Sequence, residues 1–263
     1  MRTTFKPSTR IRLSQIDPHD DSGYDKTKAA EISADNVKAI DELSYRLYAD
    51  GKRAILIVLQ GMDTSGKDGT IRHVASINPQ NCSVVSFKVP TAEEAAHDFL
   101  WRIHQRVPRH GQITIFNRSH YEDVLVVRVH KLVPEAVWRG RYKEINQFER
   151  TLTKAGITIL KFFLHISKSE QRERMQARLD DPTKRWKFGD ADLKERQLWN
   201  DYQGAYEDAL TECNTDDAPW HVIPADRKWH RDLLVWCVLR ETLEKMNPQF
   251  PPAQKGIRKM VIK

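Results

Sequence analysis

Cysteine is scarce, with three in 263 residues: Cys82, Cys213 and Cys237. Their number is odd and no two are spaced as a redox pair or as metal ligands, so a disulfide framework, a thiol-exchange centre and a zinc site all lack support. The three read as small buried or half-buried residues of a reducing compartment. No apolar run approaches the ~20 residues of a membrane span. The basic N-terminus (Arg2, Lys6, Arg10, Arg12) has no apolar stretch behind it, which argues against a secretory signal. These absences predict a cytoplasmic protein with no membrane partner. There is also no internal repeat, low-complexity tract, zinc finger, recognition-helix motif or Arg/Gly repeat, so nucleic acid is not expected as a partner. His73, His97, His104 and His120 stand at no metal-site spacing and read as surface or packed residues.

Positive charge is present in excess. Lys and Arg number 43 against 36 Asp and Glu, a formal +7, which suits an anionic partner as well as simple solubility. Apolar residues make up 40%, enough for a large core. Residues 1–25, broken by Pro7, Pro18 and Gly23, read as an extended arm. Helical spacing covers 26–48; the all-apolar run at 54–59 and the largely apolar runs at 82–87, 113–116 and 157–166, the last interrupted by Lys161 and His165, read as buried strands, with a shorter one at 220–223. Helical patterns over 92–107, 121–129, 141–155, 168–179, 192–212 and 229–246 alternate with them. The prolines at 248, 251 and 252 end a single domain of 26–252, followed by a tail over 253–263. Continuous apolar strands between amphipathic helices predict an α/β fold with a parallel sheet covered on both faces, whose ligands bind at the carboxyl ends of the strands.

After the first of those strands comes Gly61-Met62-Asp63-Thr64-Ser65-Gly66-Lys67-Asp68-Gly69-Thr70. Glycine, four residues and Gly-Lys is the spacing of a phosphate-binding loop, whose backbone N–H groups curl around phosphate oxygens while the lysine adds a point charge. A helix pattern (Ile71, Val74, Ala75) follows and aims its positive end at the same anion. A tight turn would explain Gly61 and Gly66, but not Lys67 or the paired aspartates. Asp68 stands where the usual loop has the Ser or Thr that touches Mg²⁺, and Asp63 adds a second carboxylate. Carboxylates beside phosphate need a divalent cation between them, so the loop predicts a metal-dependent site of unusual layout.

The third strand leads into Asn117-Arg118-Ser119-His120-Tyr121-Glu122-Asp123. Arg118 has the rigid fork that suits phosphate oxygens. Glu122 and Asp123 suit a metal; the competing reading is a helix start capped by Asn117 with acids in its first turn. Basic residues also crowd 128–143, and Lys184, Arg185 and Lys187 sit in the connection 181–190, with Arg178 one turn earlier. Phosphoryl-transfer enzymes close such loops over the reacting phosphates. Arg172, Arg174, Lys194 and Arg196 alternate with acids and read as solvated helix faces. The cluster Asp226–His230 reads either as cleft rim or as a helix start capped by Asp226.

Together the phosphate loop, Ser86-Phe87-Lys88-Val89-Pro90, Asp98-Phe99-Leu100-Trp101-Arg102, Phe116–Asp123 and Pro224-Ala225-Asp226-Arg227-Lys228-Trp229 resemble the polyphosphate kinase 2 family over about residues 30–252. The resemblance implies a P-loop kinase fold like that of thymidylate kinase, with a helical lid over about 178–195. It implies Mg²⁺-dependent phosphoryl transfer (Mn²⁺ as an alternative ion) between inorganic polyphosphate and adenine or guanine nucleotides, by a homo-oligomer, dimer or tetramer. By position, Gly61 and Thr64–Thr70 would hold the transferred phosphate with Lys67. Asp63, Lys67, Arg118 and Glu122 would be catalytic, Asp63 and Glu122 would hold the metal, and Arg178, Lys184, Arg185 and Lys187 would close over the phosphates. Where some members have Asp-Arg-Ser this chain has Asn117-Arg118-Ser119, which removes a direct metal role at 117. Glu122, in place of an asparagine, resembles the subgroup that accepts both nucleoside mono- and diphosphates. The competing enzymatic reading is an ATP-dependent nucleoside monophosphate kinase.

Overall fold

The structure, a computed structural model, describes residues 3–7, 9–74 and 78–257. Helix α1 (Lys26–Asp50) starts where the Asp25 carboxylate accepts from the Lys28 N–H, and it ends at Gly51, whose φ of 62° is the left-handed conformation that glycine adopts freely. Strand β1 (Ala54–Gln60) follows, buried at every residue. The phosphate loop then leads into α2 (Lys67–Val74); the third marker of that helix pattern, Ala75, lies outside the described residues, as do Arg2 and the end of the expected tail. Next come β2 (Cys82–Ser86), two short helices α3 (Ala92–Ala95) and α4 (Trp101–His104), and β3 (Ile113–Asn117). A 3₁₀ turn over His120–Asp123 and the short α5 (Val126–Val129) precede α6 (Glu135–Lys154) and β4 (Ile157–His165). Helices α7 (Lys168–Asp180), α8 (Asp190–Gln197) and α9 (Trp199–Glu212), strand β5 (Trp220–Pro224) and α10 (Lys228–Met246) complete the order.

The five strands form one sheet in the order β2-β3-β1-β4-β5, every neighbouring pair parallel. Buried apolar residues at β1, β3 and β4 suit central strands covered on both faces, whereas every residue of β2, at the edge, is partly or fully exposed to solvent. Helix α10 packs against α1 and α2 and against β4 and β5, while α6 packs against β4. Because β1 lies between β3 and β4, the connections leaving β1 and β3 diverge around it. That is the switch point at which parallel sheets bind ligands, and the phosphate loop springs from it.

The α/β reading of the sequence holds, and the departures lie in helix continuity. The expected helix 92–107 breaks in two. Thr91 and Glu94 form a reciprocal capping box that starts α3, and Asp98 Oδ1 then accepts from the Leu100 N–H, turning the chain before α4. The expected helix 121–129 is a 3₁₀ turn followed by α5. Ser119, rather than Asn117, caps that turn by accepting from the Tyr121 N–H. The expected helix 192–212 divides at Leu198, since α9 buries six side chains against the core while α8 buries none. Helix α6 begins six residues earlier than expected, at Glu135 behind Pro134, a residue suited to the start of a helix. The N-terminal residues lie against the body: the Leu13 N–H donates to Glu207 Oε1 at 2.8 Å, and Thr4 bridges His221 beside β5.

Candidate active site

Three carboxyl ends set the site. Leu59 of β1 pairs with Asn117 of β3, and Ser86 of β2 pairs with the same residue, so the segments after these strands emerge together. Gly61 sits at φ 151° with Leu164 O 2.8 Å from where a Cβ would lie, so the loop leaves the sheet through a gap closed to any side chain. Gly66, at φ 105°, would place a Cβ 1.9 Å from the guanidinium of Arg231. That guanidinium is buried and bound to Asp232 at 2.7 Å, so it has little room to give way. Thr64 and Arg118 take left-handed φ values of 64° and 62° without being glycine, strain of about 1–3 kcal/mol each of the kind found at functional sites.

Lys67 is buried, and its Nζ donates to Gly61 O at 2.7 Å and Met62 O at 3.3 Å. Burial, then the nearby charge of Arg118, pulls its pKa down to about 8 against the opposing pull of Asp63, Glu122 and Asp68. Arg118 spans two carboxylates, with Nη2 3.1 Å from Asp63 Oδ1 and Nη1 3.3 Å from Glu122 Oε2. Glu122 foremost, and Asp63 after it, raise the pKa of Arg118 despite burial, so it is a fixed cation. Asp68 accepts from Asn117 Nδ2 at 3.1 Å and faces Lys187 Nζ at 3.5 Å. The hydroxyls of Thr64 and Ser65 are buried and meet no hydrogen-bond partner among the described residues, while Thr70 turns its hydroxyl towards Asp232.

Cavities open along this loop and along the turn that follows β3. One of about 560 Å³ lies along Thr64, Gly66, Asp68 and Gly69 and is walled by Arg178, Lys184 and Lys187 together with Arg72, Lys228 and Arg231. Arg185 is not in its wall, because its Nε turns back to Leu179 O at 2.7 Å. A second cavity of about 550 Å³ runs from Arg118, Glu122 and Asn117 to Lys88, Arg102 and the apolar Val89 and Pro90. Between them, a hollow of about 240 Å³ beneath Asp63 and Glu122 is walled by Tyr202 and Tyr206. Among the described residues no three His, Cys, Asp or Glu side chains converge as a metal cage.

Several residues act differently from the sequence reading. Arg174 is not a solvated helix residue: Nη1 donates to Thr64 O and Ser65 O at 2.9 Å, and Nη2 to Ala225 O at 2.6 Å and Asp226 O at 2.9 Å. It joins α7 to the back of the phosphate loop. Arg196 likewise donates to Gln171 Oε1 at 2.6 Å. Asp226 does not cap α10, whose N-cap is Arg227; it accepts from the Ser167 N–H at 2.8 Å. The arginines expected as free positive surface over 128–143 are matched within the chain. Arg128 meets Asp208 at 2.6 Å, Arg139 meets Glu135 at 2.6 Å and Arg141 meets Asp123 at 3.1 Å. Lys88, Arg102 and Arg231 also enter the cavity walls; Lys88 and Arg102 lie in segments that carry the family resemblance, whereas Arg231 has no sequence signal beyond its charge.

A phosphate loop at the switch point of a parallel sheet, flanked by basic cavities, defines a P-loop phosphotransferase of kinase architecture. The chain belongs to the polyphosphate kinase 2 (PPK2) family, whose profile matches residues 23–251. It is similar to an AMP/ADP-polyphosphate phosphotransferase of Meiothermus ruber, 53% identical over 260 residues that cover 98% of this chain and 97% of that one. It is also similar to an ADP-polyphosphate phosphotransferase of Rhodopseudomonas palustris, 45% identical with 95% and 90% of the two chains covered. Among solved structures, polyphosphate kinase 2 from Arthrobacter aurescens TC1 superposes with a TM-score of 0.93 at 40% identity, covering 98% of this chain and 93% of that one.

Proposed function

We propose that this chain transfers phosphoryl groups between inorganic polyphosphate and nucleoside mono- and diphosphates of adenine and guanine. The observation that carries the reading is a pair of cation-bearing cavities, one along Thr64–Gly69 of the phosphate loop and one that Arg118 and Glu122 help to wall, with Arg118 also bound to Asp63 of the loop. A donor and an acceptor that both carry phosphate call for such a pair. The cavity lined by Arg178, Lys184 and Lys187 suits the polyphosphate, an extended anion without a base. The cavity with Val89 and Pro90 beside Lys88 and Arg102 suits a nucleotide, whose base needs apolar wall and whose phosphates need cations. An ATP-dependent nucleoside monophosphate kinase would use the same loop with a seat for adenine in its donor cavity; the donor-side wall carries seven lysines and arginines against the apolar Ala177 and Trp186.

The acceptor's terminal phosphate oxygen is already anionic, so attack needs positioning and charge neutralisation more than a strong base. On substrate binding, Lys67 Nζ exchanges the carbonyls of Gly61 and Met62 for phosphate oxygens. Arg118, held in place by Asp63 and Glu122, meets charge that spreads over the equatorial oxygens as the bond to the leaving phosphate breaks. The segment over about 178–195 acts as the lid, with Lys184 and Lys187 covering the donor. Two carboxylates beside a phosphate site, with no cluster of three His, Cys, Asp or Glu among the described residues, fit a small hard cation shared with substrate oxygens better than a permanent metal cage. Asp63 and Glu122 would hold Mg²⁺ there, and the ion would neutralise charge between donor and acceptor phosphates.

A turnover assay with polyphosphate and AMP, ADP, GMP or GDP, with ATP absent as donor, tests this reading. Higher nucleotides are expected to form with Mg²⁺ and to fall to background in excess EDTA, returning on addition of Mg²⁺. Activity unchanged by chelation would remove the metal from the account.

A further inference from the structure

The turn that presents Arg118 and Glu122 has an inner side. Ser119 Oγ accepts from Gln60 Nε2 at 3.1 Å and from the Tyr121 N–H at 3.2 Å, which ties the turn to the end of β1. The next two side chains, His120 and Tyr121, point into the core and are fully buried. Both reach one carboxylate oxygen of α6: Tyr121 Oη donates to Glu149 Oε1 at 2.8 Å, and His120 Nε2 lies 3.2 Å from the same atom. Glu149 Oε2 accepts from Lys161 Nζ of β4 at 2.6 Å. Lys161 gives its remaining hydrogens to Tyr121 Oη at 2.8 Å and Cys213 O at 2.7 Å, so all three ammonium donors are matched.

The side chains of Glu149 and Lys161 are 1% and 0% exposed. Burial pushes the Glu149 carboxyl towards its neutral form, but Lys161 and His120 outweigh it and hold the carboxyl below the usual range. Well-packed apolar residues serve at least as well as a buried ion pair for stability alone. Apolar residues do not, however, fix the direction of two successive side chains in a four-residue turn, which bonds of defined length do. Neither Glu149 nor Lys161 lines any of the three cavities beside the phosphate loop.

We infer that Glu149 and Lys161 are positioning residues for phosphoryl transfer: by holding His120 and Tyr121 from behind, they aim Arg118 and Glu122 at the phosphate loop. The inference rests on the proposed function for its kinetic consequence but not for its geometric one. Three variants separate the two: Tyr121→Phe, Glu149→Gln, and the paired apolar replacement Glu149→Leu with Lys161→Met. Crystal structures of the folded variants are expected to show Arg118 withdrawn from Asp63 or Glu122. Their kcat with polyphosphate and ADP is expected to fall at least tenfold, with KM for polyphosphate changed less than threefold, even where melting shows the paired replacement as stable as the parent. Arg118 contacts unmoved in a folded variant, kcat within twofold of the parent, or failure of all three variants to fold would each overturn the positioning role. A parent with no polyphosphate-dependent turnover would instead refute the proposed function, and the crystal structures would still decide the geometry.

Discussion

Lys67 is a buried ammonium whose pKa is pulled down to about 8, chiefly by burial, and this sets a pH dependence with a definite sign. Phosphate binds the charged form. Below pH 8 the free protein already holds that proton; above it, binding must take one up, so affinity falls as pH rises. Tripolyphosphate binding measured by calorimetry is expected to weaken by about tenfold for each unit above pH 8, the limit for one linked proton. Lys67→Arg should flatten the profile, because a guanidinium does not titrate there. An affinity constant from pH 7 to 9.5 in the parent would mean that Lys67 does not meet the phosphate. The sequence displayed this residue openly, through its spacing from Gly61 and Gly66. It could not display why Gly66 is needed here, because the guanidinium of Arg231 that would collide with a side chain comes from 165 positions later, on α10.

Elements were legible where one period ran uninterrupted. The apolar runs of β1 and β4 identified themselves, and so did the strand–loop–helix setting of Lys67. What the periodicity missed were helix breaks imposed by local side-chain bonds, such as Asp98 turning the chain before α4. It also missed charges whose partners are backbone. Arg174 alternates with acids along α7, as a solvated residue would, yet its guanidinium joins four carbonyls from two other segments. Removing it leaves those carbonyls without their charged donor, and Arg174→Ala is expected to cost about 2–3 kcal/mol. That corresponds to a Tm lower by about 4–8 °C. Lysine, a compact charge without the fork, should recover only part of the loss. Thermal melting checks this, and a Tm within a degree of the parent would show that α7 does not brace the loop.

At the scale of the molecule, the sheet order brings the phosphate loop out at the end of β1, between β3 and β4, where one cavity follows the loop and another follows the turn after β3. Lysine and arginine outnumber the acids by seven. Arg128, Arg139 and Arg141 each face a carboxylate of the chain, while Lys88, Arg178 and Lys228 stand on the cavity walls. The central claim is that one Lys67-centred site passes phosphate from a polyanion to a nucleotide. It is tested most directly by following ³¹P and nucleotide products of purified protein given polyphosphate, AMP and Mg²⁺, beside a correctly folded Lys67→Ala variant. The expected result is ADP and ATP formed from AMP by the parent, with turnover reduced about 10²–10³-fold or more in the variant. Nucleotide phosphorylation by the variant at the parent's rate, or none by the parent, would contradict it.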